Sequence, residues 1–266
     1  MNTVKWLNRS GLLLLALSTI GTACSSSAPE PPPASIDPVA NIDPLGAMYD
    51  SQFEFPAAWR FTAGAEPPSG RRGRVVSTDS LAYAAGLEIL KAGGNAVDAA
   101  IAVQFALAVV HPVAGNIGGG GFMVARLADD TRFALDFREE APGAASKDMY
   151  LDDAGDVTDA SWVGHLAAGV PGSVAGMEAA HERYGTLPWD RLLAPAIRLA
   201  RDGFVVESRH HDDLFWGRER LSRFPSTAAA FLPSGQAPPK GSTVRQEDLG
   251  RTLETISAQG ARGFYH

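Results

Sequence analysis

The apolar pattern of the chain predicts an α+β domain in which helices pack on a small sheet. Residues 122–127 and 132–137 are two apolar-rich runs, the second alternating, on either side of Asp129-Asp130, the signature of a β-hairpin. Residues 96–110 hold Ala, Val, Ile, Leu and Phe105 without one Lys or Arg, the composition of a buried helix. Further helical patterns, bounded by caps and glycines, come after the hairpin. Few strands against several helices imply a sheet that is not completed within these 266 residues.

The chain begins with Lys5 and Arg9 around the start of an apolar run, 11–20, too short to span a bilayer as a helix. Residues 1–23 therefore read as a signal peptide. Gly21, Thr22 and Ala23 ahead of Cys24 resemble a bacterial lipoprotein cleavage site, in which Cys24 is lipidated and becomes the mature N-terminus. That pattern prefers Leu three residues before the cysteine, where Gly21 stands, so plain cleavage after Ala23 is the alternative. Ser25, Ser26, Ser27, Pro29 and Pro31 to Pro33 make a polar spacer suited to a tether. Residues 24–72 are thus read as a lipoprotein-like tether and extended segment, with scattered aromatics Phe53, Phe55, Trp59 and Phe61. The folded domain spans 73–266, and the leader directs it to the periplasm, as an outer-membrane lipoprotein if Cys24 is modified.

Within the domain, Arg74 to Thr78 reads as a short strand, and Asp79 or Ser80 caps a helix that Gly93 and Gly94 end. Asn95 caps the apolar helix, whose Asp98 and Gln104 are expected to bond to neighbouring backbone. His111-Pro112 stops it. After the hairpin, Asp152 to Asp156 signals a turn and His165 to Val170 has weak β character. Pro171 opens a helix over 174–184 that Gly185 terminates, and a second runs over 192–201 to Gly203. Ser208 caps a third over 209–224, and a fourth over 248–259 ends at Gly260.

With 23 Lys and Arg against 30 Asp and Glu the net charge is −7, and no basic stretch is set apart, which argues against nucleic acid as a partner. One cysteine excludes an internal disulfide and a thiolate metal cage.

Four consecutive glycines, 118–121, lack the Lys-Ser/Thr of a phosphate loop and lie between a helix and a strand. They suit close backbone approach, to a neighbouring segment or to a ligand. Gly172 to Gly176 is no nucleophile elbow, because Pro171 stands where the motif needs Gly. His210, His211, Asp212 and Asp213 sit at spacings that diverge on a helix, so they read as a solvated face rather than a metal cluster. His165 and His181 read as structural, and Asp152-Asp153 as a solvated turn. Asp136-Phe137-Arg138-Glu139 is more informative. Alternation puts Leu135 and Phe137 on one face and Asp136 and Arg138 on the other, where Asp136 or Glu139 can steady the guanidinium. Its free edge then suits a ligand carboxylate, and a surface ion pair is the rival use.

Several stretches in succession carry a resemblance. They are Leu87 through Ala100, His111-Pro112 through Met123, Asp136-Phe137-Arg138-Glu139, Gly169-Val170-Pro171-Gly172 and Leu193-Ala194-Pro195-Ala196-Ile197. Together they resemble the large subunit of γ-glutamyltransferases, also called γ-glutamyltranspeptidases, from about Gly73 to the last residue. The resemblance implies an N-terminal-nucleophile hydrolase fold, a four-layer αββα sandwich, here incomplete. It implies a precursor that cuts itself into large and small subunits and needs no metal or organic cofactor. The N-terminal threonine of the small subunit attacks the γ-glutamyl amide, and the acyl-enzyme passes the group to water, an amino acid or a peptide. Glutathione is the usual donor. Arg138 matches the arginine that binds the α-carboxylate of the glutamyl group. Thr227, Thr243, Thr252 and Thr255 do not stand in the context of the processing threonine, so these residues alone are expected to be inactive. Two rivals stay open: a cephalosporin-type acylase of the same family, and a non-catalytic binding lipoprotein of the same fold.

The leader reading predicts a mature protein that starts at a lipid-modified Cys24. A mass spectrum of the N-terminus checks it, and an unmodified Cys24 or Ser25 at the terminus refutes lipidation.

Overall fold

The computed structural model describes the backbone of Lys5–Leu7 and residues 73–266. Cys24, the leader's apolar run and the spacer lie outside the described residues. The elements in order are β1 (Lys5–Leu7), α1 (Ser80–Lys91), α2 (Ala96–Val110), β2 (Phe122–Arg126) and β3 (Arg132–Asp136). Then come α3 (Ser173–Tyr184), α4 (Trp189–Asp202), β4 (Phe204–Val205), α5 (Ser208–Leu221), α6 (Pro225–Phe231), β5 (Thr243–Val244), α7 (Glu247–Gln259) and α8 (Arg262–Tyr265).

The hairpin forms as expected, in the register Phe122↔Asp136, Val124↔Ala134 and Arg126↔Arg132. Period-two alternation turns Phe133, Leu135 and Phe137 into the core with α2 and α3, while Phe122 and Val124 on the opposite face are 63% and 82% exposed. The other edge of β3 pairs antiparallel with β1, Lys5 opposite Asp136 and Leu7 opposite Ala134, so this strand falls inside the stretch read as a leader. A second, two-residue pairing joins β4 to β5.

Helix α2 lies at the centre, with Ile101, Ala102, Phe105, Ala106 and Val109 sealed from solvent. It packs against α1 at Gly86, where a Cβ would come within 2.6 Å of Val103 Cγ2. On its other sides lie α4, whose Leu192, Leu193 and Ala196 are buried, and the core residues of α3 and β3. Val97 and Asp98 in the first turn are buried, so the free N–H groups there are met by side-chain acceptors. Asn95 Oδ1 accepts from Val97 and Asp98 N–H, and Asp98 accepts from Asn95 N–H, a reciprocal capping box. Asp98 goes further. Its carboxylate also accepts from the Thr186 N–H and hydroxyl and the Leu187 N–H, which ties the start of α2 to the α3–α4 turn.

Several expectations need correction. Residues 74–77 form no strand, because no neighbour pairs with them among the described residues; Val75 packs towards Gly86 and Val76 is exposed. His165–Ala167 is a single 3-10 turn, and the only β pairing nearby among the described residues is a lone bridge, Glu140↔Val170. Ser208 is inside α5 rather than its cap; Glu207 holds that place with no side-chain bond. The helix expected to run to Phe224 stops at Leu221, and Pro225 starts α6, since proline forces Phe224 into an extended conformation. Helix α4 begins three residues early, at Trp189, whose indole N–H donates to Ile256 O.

Asp98→Ala removes a buried carboxylate and leaves four partly buried donors without it, and is expected to cost about 2–4 kcal/mol of stability. Urea unfolding at an unchanged m-value measures it, and a loss under about 1 kcal/mol contradicts the role assigned to this carboxylate.

Candidate functional site

The site grows from the end of β3. Phe137 continues the ladder one residue past β3, donating to Gly121 O at 3.0 Å and accepting from Gly121 N–H at 3.3 Å. Arg138 comes next, its N–H donating to Asp136 Oδ1 at 3.0 Å. Glu140 then bonds both ways with Val170, at 3.2 and 2.8 Å. The chain from 137 to 140 is therefore pinned on both sides.

Glycines make that seat possible. A Cβ on Gly120 would lie 2.5 Å from Phe137 O and 2.7 Å from Arg138 Cα; one on Gly172 would lie 2.0 Å from Phe137 O; one on Gly176 would lie 2.3 Å from Phe137 Cγ. No side chain fits any of the three places. The 119–121 backbone closes the arrangement, because Gly119 O accepts from Gly172 N–H at 2.8 Å and Ser173 N–H at 2.9 Å at the start of α3. The Tyr265 hydroxyl of α8 braces the same corner by donating to Pro171 O at 2.8 Å. Of the two uses open to the glycine run, Gly120 takes close approach to a neighbouring segment.

With its backbone fixed, Arg138 sends its side chain outward, 64% exposed. Its Nε is 3.8 Å from Glu139 Oε2, and its Cζ lies 5.8 Å from the centre of the Phe122 ring. The guanidinium is thus steadied by Glu139 and Phe122, while Asp136 holds the backbone. Among the described residues the two Nη nitrogens make no ion pair, so the planar fork is presented for two parallel hydrogen bonds to a carboxylate. Sequence reasoning misses Phe122 as a member of this site. The signal is there, since the register that puts it opposite Asp136 also puts it on the arginine's face.

The histidines fall elsewhere. His181 Nε2 is 2.7 Å from Leu187 O, a structural use as expected, and the exposed His165 lies edge-on to Phe224. The 210–213 group does not converge on an ion, and among the described residues no three His, Cys, Asp or Glu side chains are placed to hold a metal. It is not a uniformly solvated face either. His211 Nδ1 meets Pro238 O at 2.8 Å and Asp212 pairs with Lys240, whereas His210 is on the buried side of α5, its Nδ1 3.2 Å from Val110 O. Burial holds the His210 pKa below the ordinary histidine value, against the opposing pull of the Val110 carbonyl and of Asp213.

A family model described as gamma-glutamyltranspeptidase matches residues 82–266. The chain belongs to the γ-glutamyltranspeptidase family. A glutathione hydrolase proenzyme of Pseudomonas sp. strain A14 is 49% identical over 205 residues, which are 76% of this chain and 36% of that protein. The acylase ACY 1 proenzyme of Pseudomonas sp. strain V22 is 42% identical over 212 residues, 77% of this chain and 38% of that one. The crystal structure of Helicobacter pylori gamma-glutamyltranspeptidase superposes with a TM-score of 0.73 at 46% identity, over 76% of this chain and 58% of that chain. The α+β fold is therefore that of the γ-glutamyltranspeptidases, as the resemblance implied. The chain spans about a third of the length of the curated relatives it matches.

The glycine seat makes a sharp contrast between neighbours. Gly120→Ala is expected to lower stability by about 1–3 kcal/mol through overpacking, whereas Gly118→Ala, whose Cβ would meet nothing within 4 Å, is expected to change it by less than about 0.5 kcal/mol. Thermal unfolding of both variants checks this, and equal losses overturn it.

Proposed function

We propose that the protein to which these residues belong transfers or hydrolyses γ-glutamyl groups, with glutathione and related γ-glutamyl amides as donors. The observation that carries the reading is the immobilised backbone of Arg138 beneath an outward guanidinium fork. A γ-glutamyl donor has a free α-carboxylate and an amide at the γ-carbon, and the enzyme must bring only the second to its nucleophile. An arginine held at a fixed position grips the α-carboxylate in two-pronged fashion and sets the distance to the γ-carbonyl. Membership of a family that includes glutathione hydrolases supports the same assignment.

In this reading the nucleophile is an N-terminal threonine freed by self-cleavage, contributed by polypeptide other than the described residues. Its hydroxyl attacks the γ-carbonyl and its own amine takes the proton. The leaving amine departs protonated, and the threonyl ester is then opened by water, an amino acid or a peptide. The exposed Phe122 and Val124 face of the hairpin is where further sheet from the same precursor would be laid. Export through the leader, with Cys24 as a lipid anchor, belongs to the same proposal and puts the activity in the periplasm.

The acylase relative favours a second reading, in which a cephalosporin-type amide replaces the γ-glutamyl donor. A guanidinium fork turned outward, matched in shape and charge to a carboxylate, suits the first reading better.

Arg138→Lys in the complete protein tests the proposal. The charge remains and the fork is lost, so KM for a γ-glutamyl anilide is expected to rise about 10- to 100-fold. Unchanged kcat and KM overturn the role of Arg138, and faster cleavage of a cephalosporin side-chain amide than of the anilide selects the acylase.

A further inference from the structure

Gly172 answers two demands that pull against each other. The seat of Arg138 needs a glycine there, since a Cβ would stand 2.0 Å from Phe137 O. The same residue is the N-cap of α3, and a glycine has no side chain with which to accept from the first free N–H groups of the helix. Ser173 does not take over that task, because its hydroxyl is buried and makes no hydrogen bond among the described residues. The acceptors come from other segments. Gly119 O receives the N–H groups of Gly172 and Ser173, and Tyr265 Oη receives that of Ala175 at 3.4 Å, from ninety positions along the chain.

The Tyr265 hydroxyl works in both directions. It also donates to Pro171 O at 2.8 Å, so one oxygen holds the chain just before Gly172 and the first turn of α3 just after it. Gly172 lies between those two anchors, under the Phe137 carbonyl, and Gly176 directly follows them, against the Phe137 ring. Arg138 is the next residue along. From the hydroxyl to the arginine's backbone the path is therefore one hydrogen bond and one close contact.

The ring reaches this corner from an element rooted in the core. Leu253 and Ile256 of α7 are fully buried, and Gly260 ends that helix with φ +65°. Ala261 N–H then donates to Glu178 Oε1 of α3 at 2.8 Å, and Phe264 stands edge-on to the Tyr265 ring at 4.9 Å. Helix α8 is thus fastened to α3 at two points, Glu178 in its middle and Tyr265 at its start.

We propose that Tyr265 is a positioning residue for Arg138: its hydroxyl supplies from α8 the cap that Gly172 cannot carry, and so holds the start of α3 against Phe137 and fixes the arginine's backbone. The proposal rests on the reading of Arg138 as the carboxylate-binding residue. Without the hydroxyl, Pro171 O and the Ala175 N–H turn to water, the first turn of α3 loosens, and the 137–139 backbone loses the wall it rests on. A shifted fork misplaces the α-carboxylate relative to the γ-carbonyl, and only a donor that has this carboxylate is affected.

The test is Tyr265→Phe in the complete protein, which removes one oxygen and keeps the ring. Amide hydrogen exchange is expected to quicken in 172–176 and 137–139 and to stay unchanged in α2 and α7. For a γ-glutamyl anilide kcat/KM is expected to fall about 3- to 10-fold, mostly through KM. For 4-aminobutanoyl anilide, the same donor without its α-carboxylate, it is expected to change by less than about twofold. In an Arg138→Lys background, where the fork is already lost, adding Tyr265→Phe is expected to cost less than about twofold. An equal fall for both donors, a full fall in the Arg138→Lys background, or unchanged exchange at 137–139 overturns the proposal. Should the wild type show no γ-glutamyl turnover, the functional reading fails, while the exchange data still judge whether Tyr265 holds this corner.

Discussion

A helix at the centre of a domain must have the buried polar groups of its first and last turns met by protein partners, and the arrangement of the rest of the chain answers that constraint on α2. At its start the acceptors are Asn95 and Asp98, and the Asp98 carboxylate also gathers three donors from the α3–α4 turn. At its end the donors are His210 and Gln246, which come from α5 and from the position just ahead of α7. Apolar packing brings α1, α4 and α7 together, but it has no direction. The polar groups at the two ends of α2 supply the direction, fixing which turn lies beside which terminus.

That frame delivers the arginine. The loop leaving α2 returns as the first strand of a hairpin, and its glycines let three backbone segments, 119–121, 137–139 and 171–173, meet at distances no side chain allows. Nothing in this corner is held by a strong ion pair. The Arg138–Glu139 contact is long and exposed, and worth little by itself. The precision of the site lies in backbone hydrogen bonds and in absent Cβ atoms, and the side chains only orient the fork.

Much of this is legible in the sequence because it depends on local chemistry. The Asn95 cap, the uncharged stretch of α2, the alternation at 132–137 and the terminating glycines each signal through neighbours a few residues away. The misses share a different cause. Residues 74–78 have the composition of a strand, and only the absence of a partner among the described residues decides against it. His210 sits among charged residues and looks solvated, and only the fold reveals that Phe204 and Val110 cover it. The partners of Asp98 are nearly ninety positions away in Thr186 and Leu187, beyond the reach of any periodic pattern. Lipidation of Cys24 is chemistry at a position outside the described residues, and it stays an expectation from the leader alone.

The seat of Arg138 separates two things that proteins often entangle. Its side chain, largely exposed, touches only Glu139 and the Phe122 ring, so replacing it disturbs little packing; the three glycines around residues 137–138 have no such freedom. If Arg138 grips the ligand as proposed, ligand preference is an interchangeable part mounted on an inflexible bracket. A lineage built on this corner is able to exchange what it grips by one substitution at the exposed position, without first rebuilding the fold. Any of the three glycines, once lost, closes that route whatever stands at 138.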